Sequence, residues 1–348
     1  METPAKLERV RTQLGFDLLM DPADYLSVLL IRDGVFEVPE TDLVTRILRP
    51  GDTCIDAGCH LGYYSCLAAC LVEGTGRVFA FDANPAACES ARRNLALNGL
   101  CSCEVIQVAV SEREGDRTFY LSTNDQTGLS SLGPIPLQKE TISVPSLRLG
   151  NFINERGLDR IRLLKLDVEG AEEIALKGLG NCLEAHIIDF ILAECYDERL
   201  HLLNSSAEVI GNLLSSAGYS AWEFGTGIPA GWSRANKVRS RGDCSYLFSS
   251  PLIADLPPSI TLSAALNWAN VQREQLRIEK DAQLSSRTAQ SAVEIAALKE
   301  EVETWREIQK SAGWRLLNKW RRMRDRLAPE SSRRRALYDS ILRAFRGR

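Results

Sequence analysis

None of the ten cysteines falls in a C-x-x-C pair; the nearest neighbours are Cys101 with Cys103, and Cys66 with Cys70 one helical turn apart. That spacing excludes the common zinc and dithiol motifs, so the cysteines read as small buried hydrophobes and no metal site is expected. No run of about 18 consecutive apolar residues occurs, as a membrane span requires, and the opening stretch METPAKLERVRTQLGF has no apolar signal core. A soluble, cytoplasmic chain with reduced thiols is the expectation. Histidine is scarce as well, at three residues. His186 opens a buried strand and His201 lies in a polar loop, and both read as structural, while His60 lies in a glycine turn where it could act as a base or simply cap the following helix.

What is present points to one large domain with an appendage. The chain has 348 residues, 45% hydrophobic and 25% charged, which is globular composition. The net charge of -4 conceals an asymmetry: residues 311–348 carry twelve Lys or Arg against three acids, +9, which leaves -13 on the rest. A basic stretch without aromatic and basic interleaving on the main domain argues against nucleic acid as a partner.

From residue 52 short apolar runs alternate with helical stretches: TCIDAG, then 61–72; RVFAFD (77–82), then a helix over 85–98 opened by Pro85 and closed at Asn98-Gly99; then CEVIQVAV. This is the rhythm of βαβ units and a parallel sheet. RTFYLS (117–122) and TISVPSL predict a two-stranded excursion. IRLLKLDVEG supplies a fourth strand, HIIDFILAEC (186–195) a fifth, residues 204–217 a helix, and YSAWEF with DCSYLFSS a closing hairpin.

The first strand ends at Asp56, turns through Gly58 and Gly62, and enters a helix, which brings backbone N–H groups and a helix N-terminus towards a ligand. Tight strand-to-helix turns also use glycine for packing alone. The neighbouring strand ends in Asp82, an acid positioned to accept ribose hydroxyls of an adenosine. A nucleotide-dependent oxidoreductase would show the same acid with a G-x-G-x-x-G turn for pyrophosphate; here the turn reads Gly58, His60, Gly62. An adenosine ligand without a diphosphate fits better.

GDTCIDAGCHLGYYS, VFAFDANP, VAVSEREGDRTFYLS, GLSSL and LLKLDVEGAEEIALKG stand in the order and spacing of the FkbM-type methyltransferases, which the chain resembles over roughly residues 15–250. That resemblance implies an α/β class I methyltransferase (Rossmann-like) fold, a mostly parallel seven-stranded sheet with the last strand antiparallel and helices on both faces. It implies S-adenosylmethionine as methyl donor and a hydroxyl oxygen as acceptor. On this reading the donor is held by Asp56, Gly58, His60, Gly62, Asp82 and Asn84 and by the third-strand exit at Gln107 and Ala109. Ser130 and Ser131 of GLSSL contact substrate by resemblance only. The family commonly has G-A-N-x-G where this chain has Gly58-Cys59-His60-Leu61-Gly62, and Glu where it has Asp82.

In open parallel sheets the ligand lies outside the carboxyl ends of the strands. Asp167 and Glu194 leave their strands there, so either can take the proton of an attacking hydroxyl, with His60 as a third candidate. Glu169 reads either as a substrate or metal contact or, with Glu172 and Glu173, as charge at a positive helix end.

The divisions expected are a methyltransferase domain at 1–250, a Pro-rich linker at 251–260, a helix at 261–310 and a basic amphipathic tail at 311–348. The 261–310 segment fits either a short coiled coil that makes a homo-oligomer or a single amphipathic helix on its own domain. In the tail Leu316, Trp320, Met323 and Leu327 form one apolar stripe among Arg and Lys, suited to an anionic membrane face on the cytoplasmic side. Its W-R-L segment resembles trailing pieces of bacterial surface-polysaccharide enzymes, which favours a glycan acceptor. The bland alternative is that it packs on the acidic domain. A natural-product hydroxyl as acceptor, and a methyltransferase-like scaffold without catalysis, stay open.

Overall fold

The computed structural model describes residues 7–123, 127–136, 138–225, 231–240 and 244–256. All lie in the first of the chain's two units, Met1–Ala269. The expected helix at 261–310 and the basic tail at 311–348 lie outside the described residues.

An N-terminal ribbon of β1 (Glu8–Arg11) and β2 (Asp17–Met20) leads into helices α1 (Tyr25–Asp33) and α2 (Val38–Ile47). Then follow β3 (Thr53–Ala57), α3 (Tyr63–Val72), β4 (Arg77–Asp82), α4 (Pro85–Leu97) and β5 (Cys103–Gln107). The excursion comprises β6 (Ala109–Val110), β7 (Gly115–Ser122) and β8 (Gln138–Leu147). After it come α5 (Leu149–Glu155), β9 (Ile161–Leu166), α6 (Glu172–Lys177), α7 (Asn181–Glu184), β10 (Ile188–Glu194), α8 (Asp197–Leu200) and α9 (Ala207–Ser216). The domain closes with β11 (Ser220–Gly225), β12 (Gly231–Arg234) and β13 (Ser245–Ser249).

Among the described residues one sheet has the order β12-β11-β13-β10-β9-β3-β4-β5. Strands β10, β9, β3, β4 and β5 run parallel, and β13 enters antiparallel beside β10. The central strands read as near-continuous apolar runs because helices cover both faces, and β3, β9 and β10 are buried almost throughout. The sheet has eight strands where seven were expected, because Gly231–Arg234 pairs antiparallel with β11 and extends that edge. The excursion is three-stranded, since CEVIQVAV breaks after Gln107 and Ala109–Val110 pairs with β8. The domain also continues past residue 250: Ser250 N–H donates to Asp189 O at 2.9 Å, and Ile253 and Leu256 pack on the core. No helix among the described residues is long and apolar enough to cross a membrane.

All ten cysteines are free; six are buried, while Cys70 and Cys101 are exposed. His186 closes α9 through Nε2 on Ala217 O at 2.8 Å, and His201 is exposed.

Candidate active site

The β3 and β9 exits press together at one glycine. Asp167 N–H donates to Ala57 O at 3.0 Å, and a Cβ on Gly58 (φ +90°) would sit 1.7 Å from Asp167 O. Gly58 is thus required by the meeting of two backbones, which brings Asp167 beside the turn. Gly62 (φ +86°) serves the packing of α3 on α4, since its Cβ would lie 3.1 Å from Ala91. Between them His60 adopts φ 48°, a left-handed conformation that His and Asn tolerate better than most residues.

That conformation aims the His60 N–H at Asp82 Oδ2 (2.9 Å), while Asn84 N–H donates to Oδ1 (2.8 Å). Burial pushes the Asp82 carboxyl up, and the two amides oppose the shift. Asn84 also caps α4, its Oδ1 accepting from Ala86 N–H at 3.0 Å. Each Asp82 oxygen keeps lone-pair capacity for a ribose hydroxyl. Gln107 pairs in register with Asp82 and is exposed, whereas Ala109 is buried in a cluster with Ala83, Phe119 and Val144.

Asp56 lies deeper. Its Oδ2 accepts from Ser65 Oγ at 2.6 Å, and its Oδ1 is buried with no hydrogen-bond partner among the described residues. Burial raises its pKa, opposed by the Lys165 charge. Lys165 is its register neighbour on β9 and a buried cation inside a core strand. Two residues apart on a strand means one face, and Lys165 Nζ reaches Asp167 Oδ2 at 2.6 Å. Burial alone would lower the Lys165 pKa, yet Asp167, Glu37 and Asp56 overcome it and the net shift is upward. The ammonium also lies 4.5 Å from the centroid of Tyr64, whose hydroxyl donates to Glu37 Oε2 at 2.8 Å. Burial and the Glu40 charge push Glu37 up to about 8, against the pull of Lys165.

On the other side Glu169 turns the chain at φ 51° and faces Arg199 at 3.3 Å. Carboxylate oxygens of Asp167, Glu169 and Glu194 lie within 4.8 Å of one another, a spacing that suits a cation. Two of them already meet protein cations, Lys165 and Arg199. Glu172 is buried, and its Oε1 accepts from the N–H groups of Val168 and Gly170 at 2.9 and 3.3 Å. It therefore caps the turn that holds Glu169, and burial pushes it up to about 7. Glu173 pairs with Lys177 on the exposed side of α6.

The excursion closes over both exits. Ser131 is fully buried, and its Oγ donates to Glu169 O at 2.6 Å. Ser130 Oγ braces its own loop against Ser122 and Thr127. Both hydroxyls therefore help to shape the loop. The structure brings Asp56, His60, Asp82, Asp167, Glu169 and Glu194 to one edge of the sheet. Sequence reasoning passed over Glu37, Lys165, Asp24 and Thr127. Lys165 alone left a local signal, a lysine inside an otherwise apolar strand.

The orphaned Oδ1 of Asp56 and the buried, unpartnered Nδ1 of His60 are acceptors waiting for a donor. The Asp56 acceptor fits the ammonium of an adenosine ligand that carries an amino-acid chain, such as S-adenosylmethionine.

Comparison with known proteins agrees with this reading. The Methyltransferase FkbM domain profile matches residues 56–221. The 31-O-demethyl-FK506 methyltransferase FkbM of Streptomyces tacrolimicus is 30% identical over 184 residues, 42% of this chain and 70% of that protein. Methyltransferase 1 of Beauveria bassiana is 28% identical over 216 residues, 56% of this chain and 84% of that protein. The 2-O-methyltransferase NoeI of Sinorhizobium fredii is 27% identical over 190 residues, 50% of this chain and 75% of that protein.

Proposed function

The chain belongs to the FkbM methyltransferase family and uses S-adenosylmethionine, and from that premise we propose that it methylates a hydroxyl oxygen of a glycan or surface-polysaccharide precursor. The observation that carries the oxygen acceptor is the meeting, at one sheet edge, of unpartnered buried acceptors on the β3 exit with the carboxylates of Asp167, Glu169 and Glu194. One relative is a 2-O-methyltransferase by name, and another is named for methylating 31-O-demethyl-FK506. The basic, Trp-bearing tail favours a glycan assembled at a membrane face. A second reading, a small-molecule hydroxyl as acceptor, is favoured by the relative that acts on 31-O-demethyl-FK506.

When bound, the donor supplies an electrophilic methyl group on a sulfonium cation. Asp56 Oδ1 would accept a hydrogen bond from its ammonium, and the Asp82 carboxylate would accept from its ribose. The Asp167 and Glu194 carboxylates offset positive charge near the reacting centre. Fixed cations at Lys165 and Arg199 moderate that field, which matters because the sulfonium charge disappears in the transition state and an over-stabilised ground state would slow the reaction. Holding the acceptor oxygen about 3 Å from the methyl group supplies much of the remaining acceleration.

Calorimetry with S-adenosylmethionine, S-adenosylhomocysteine and NAD tests the first half. Binding of the first two is expected, and Asp56→Asn should weaken it about tenfold, or about 1.4 kcal/mol. Incubating extracts with labelled donor and analysing the products by mass tests the second, and label on a lipid-linked or polymeric glycan is the expected outcome. Label confined to small alcohols would favour the second reading. For the tail we infer docking on anionic membrane. The full chain should float with anionic vesicles at low salt and release as salt screens the charge, and flotation indifferent to salt would remove that assignment.

A further inference from the structure

One hydroxyl in the excursion fixes the position of a proton in the active site. Thr127 Oγ1 lies 2.8 Å from Asp24 Oδ1 and 2.8 Å from His60 Nε2. Asp24 is buried at the N-terminus of α1, where its other oxygen accepts from Ser27 N–H at 3.2 Å. An ionised carboxylate can only accept, so the Thr127 hydroxyl hydrogen points at Asp24. Nothing is then left on that oxygen to give the ring, and His60 must donate through Nε2–H. In a neutral imidazole the other nitrogen is consequently bare. That nitrogen, Nδ1, is buried and has no hydrogen-bond partner among the described residues.

The backbone fixes the ring as firmly as the side chains do. His60 N–H is held by Asp82 Oδ2 at 2.9 Å, and its left-handed φ of 48° allows few alternatives. Thr127 belongs to the same loop as Ser131, which is bonded to the Glu169 carbonyl, so the loop spans from the β3 exit to the acidic β9 exit. The His60 ring and the Glu169 backbone are therefore both tied to that one loop. Asp167 is a weaker claimant to the same proton, because its Oδ2 already faces the Lys165 ammonium at 2.6 Å.

We propose that His60 Nδ1 is the base that takes the proton of the acceptor hydroxyl, with Thr127 and Asp24 as positioning residues that hold its tautomer; this rests on the O-methyltransferase reading above. In the step, the hydroxyl oxygen forms its bond to the methyl carbon while the carbon–sulfur electron pair stays with sulfur. The hydroxyl proton passes to Nδ1, giving an imidazolium with N–H at both nitrogens. Its positive charge is met through Thr127 by Asp24 and, across the turn, by Asp82. The proton then leaves to water, restoring the neutral ring. Replacement of the family's common Asn by His thus adds a base at a position whose left-handed backbone either residue accepts.

Because the chain has three histidines, nitrogen NMR of the full-length protein labelled with ¹⁵N-histidine can read each ring separately. His60 should show a protonated Nε2 and a bare Nδ1. Thr127→Val should mix its tautomers, and Thr127→Ser should restore the single form. His186, whose Nε2 meets the Ala217 carbonyl, should keep its signals throughout and so report that the fold is intact. With labelled donor and the acceptor fraction recovered from extract, His60→Asn should lower kcat by about 10² to 10⁴ while calorimetric donor affinity holds. Thr127→Val should lower kcat about tenfold with KM little changed, and Thr127→Ser should recover it. A wild-type His60 protonated at Nδ1, or wild-type turnover in His60→Asn, would overturn the assignment. Failure of the underlying reading looks different: label would reach nitrogen or carbon and not oxygen, and the base assignment would fall with it.

Discussion

The β3 exit and the β9 exit lie side by side, and each turns through a side-chain-bearing residue in the left-handed region, His60 in one and Glu169 in the other. Their backbones are alike; their polar groups are not. On the β3 side Asp56 Oδ1 and His60 Nδ1 are buried without a partner among the described residues. On the β9 side Asp167 meets Lys165, Glu169 meets Arg199, and Glu172 turns Oε1 back on the amides of its own loop, while its Oε2 is buried with no partner among the described residues. A buried polar atom left unsatisfied costs about 1 to 3 kcal/mol, so it persists where a ligand completes it. The β9 exit balances the carboxylates of Asp167 and Glu169 with protein cations, whereas the β3 exit presents acceptors suited to the donor groups of a ligand.

The sharpest way to break the comparison is to part the two exits. Gly58→Ala places a Cβ inside van der Waals contact with Asp167 O and at a left-handed φ, so we expect a loss exceeding about 4 kcal/mol in urea unfolding, or no folded protein. A variant as stable as wild type would show that the exits do not depend on that contact. Next in size is the balance on the β9 side. Lys165→Met leaves Asp167 and Asp56 without their shared counter-charge and should cost about 3 kcal/mol. Adding Asp167→Asn should return part of it, and strictly additive losses in the double-mutant cycle would mean the pair is not coupled.

The smallest effect concerns Glu172. Its carboxyl rises from an ordinary 4.5 to about 7, chiefly through burial, so the folded state holds its proton more tightly than the unfolded chain. The associated stability is complete below about pH 4.5 and is lost as pH rises towards and through 7. Glu172→Gln keeps an acceptor for Val168 and Gly170 without that titration. Between pH 5 and pH 8 wild type should therefore lose about 2 kcal/mol more than the variant in urea unfolding. Glu37, pushed up to about 8, acts in the same direction in both proteins and cancels in the comparison. Parallel pH profiles would show that Glu172 is ionised throughout.

The strands that make the site were legible because buried parallel strands write themselves as apolar runs, and Asp56, Asp82, Asp167 and Glu194 mark their ends. The glycines were legible too, and the structure adds the approach of Asp167 O as a reason for Gly58. The eighth strand was not, since Gly231–Arg234 has no periodicity of its own and is defined by the edge of β11. Nor was the Asp24, Thr127 and His60 chain, whose members are far apart in sequence and meet only when α1, the excursion and the β3 exit converge. Ordinary polar residues in loops carry no local mark of a contact made across the fold.

The left-handed conformations at Glu37, His60 and Glu169 bear on how such a chain changes over generations. At each position glycine would relieve about 1 kcal/mol or more of backbone strain and remove the side chain that the site uses. Selection for heat resistance alone would drive these three positions towards glycine, and selection for turnover drives them away. The three side chains therefore mark sites where the demands of durability and of chemistry oppose each other residue by residue.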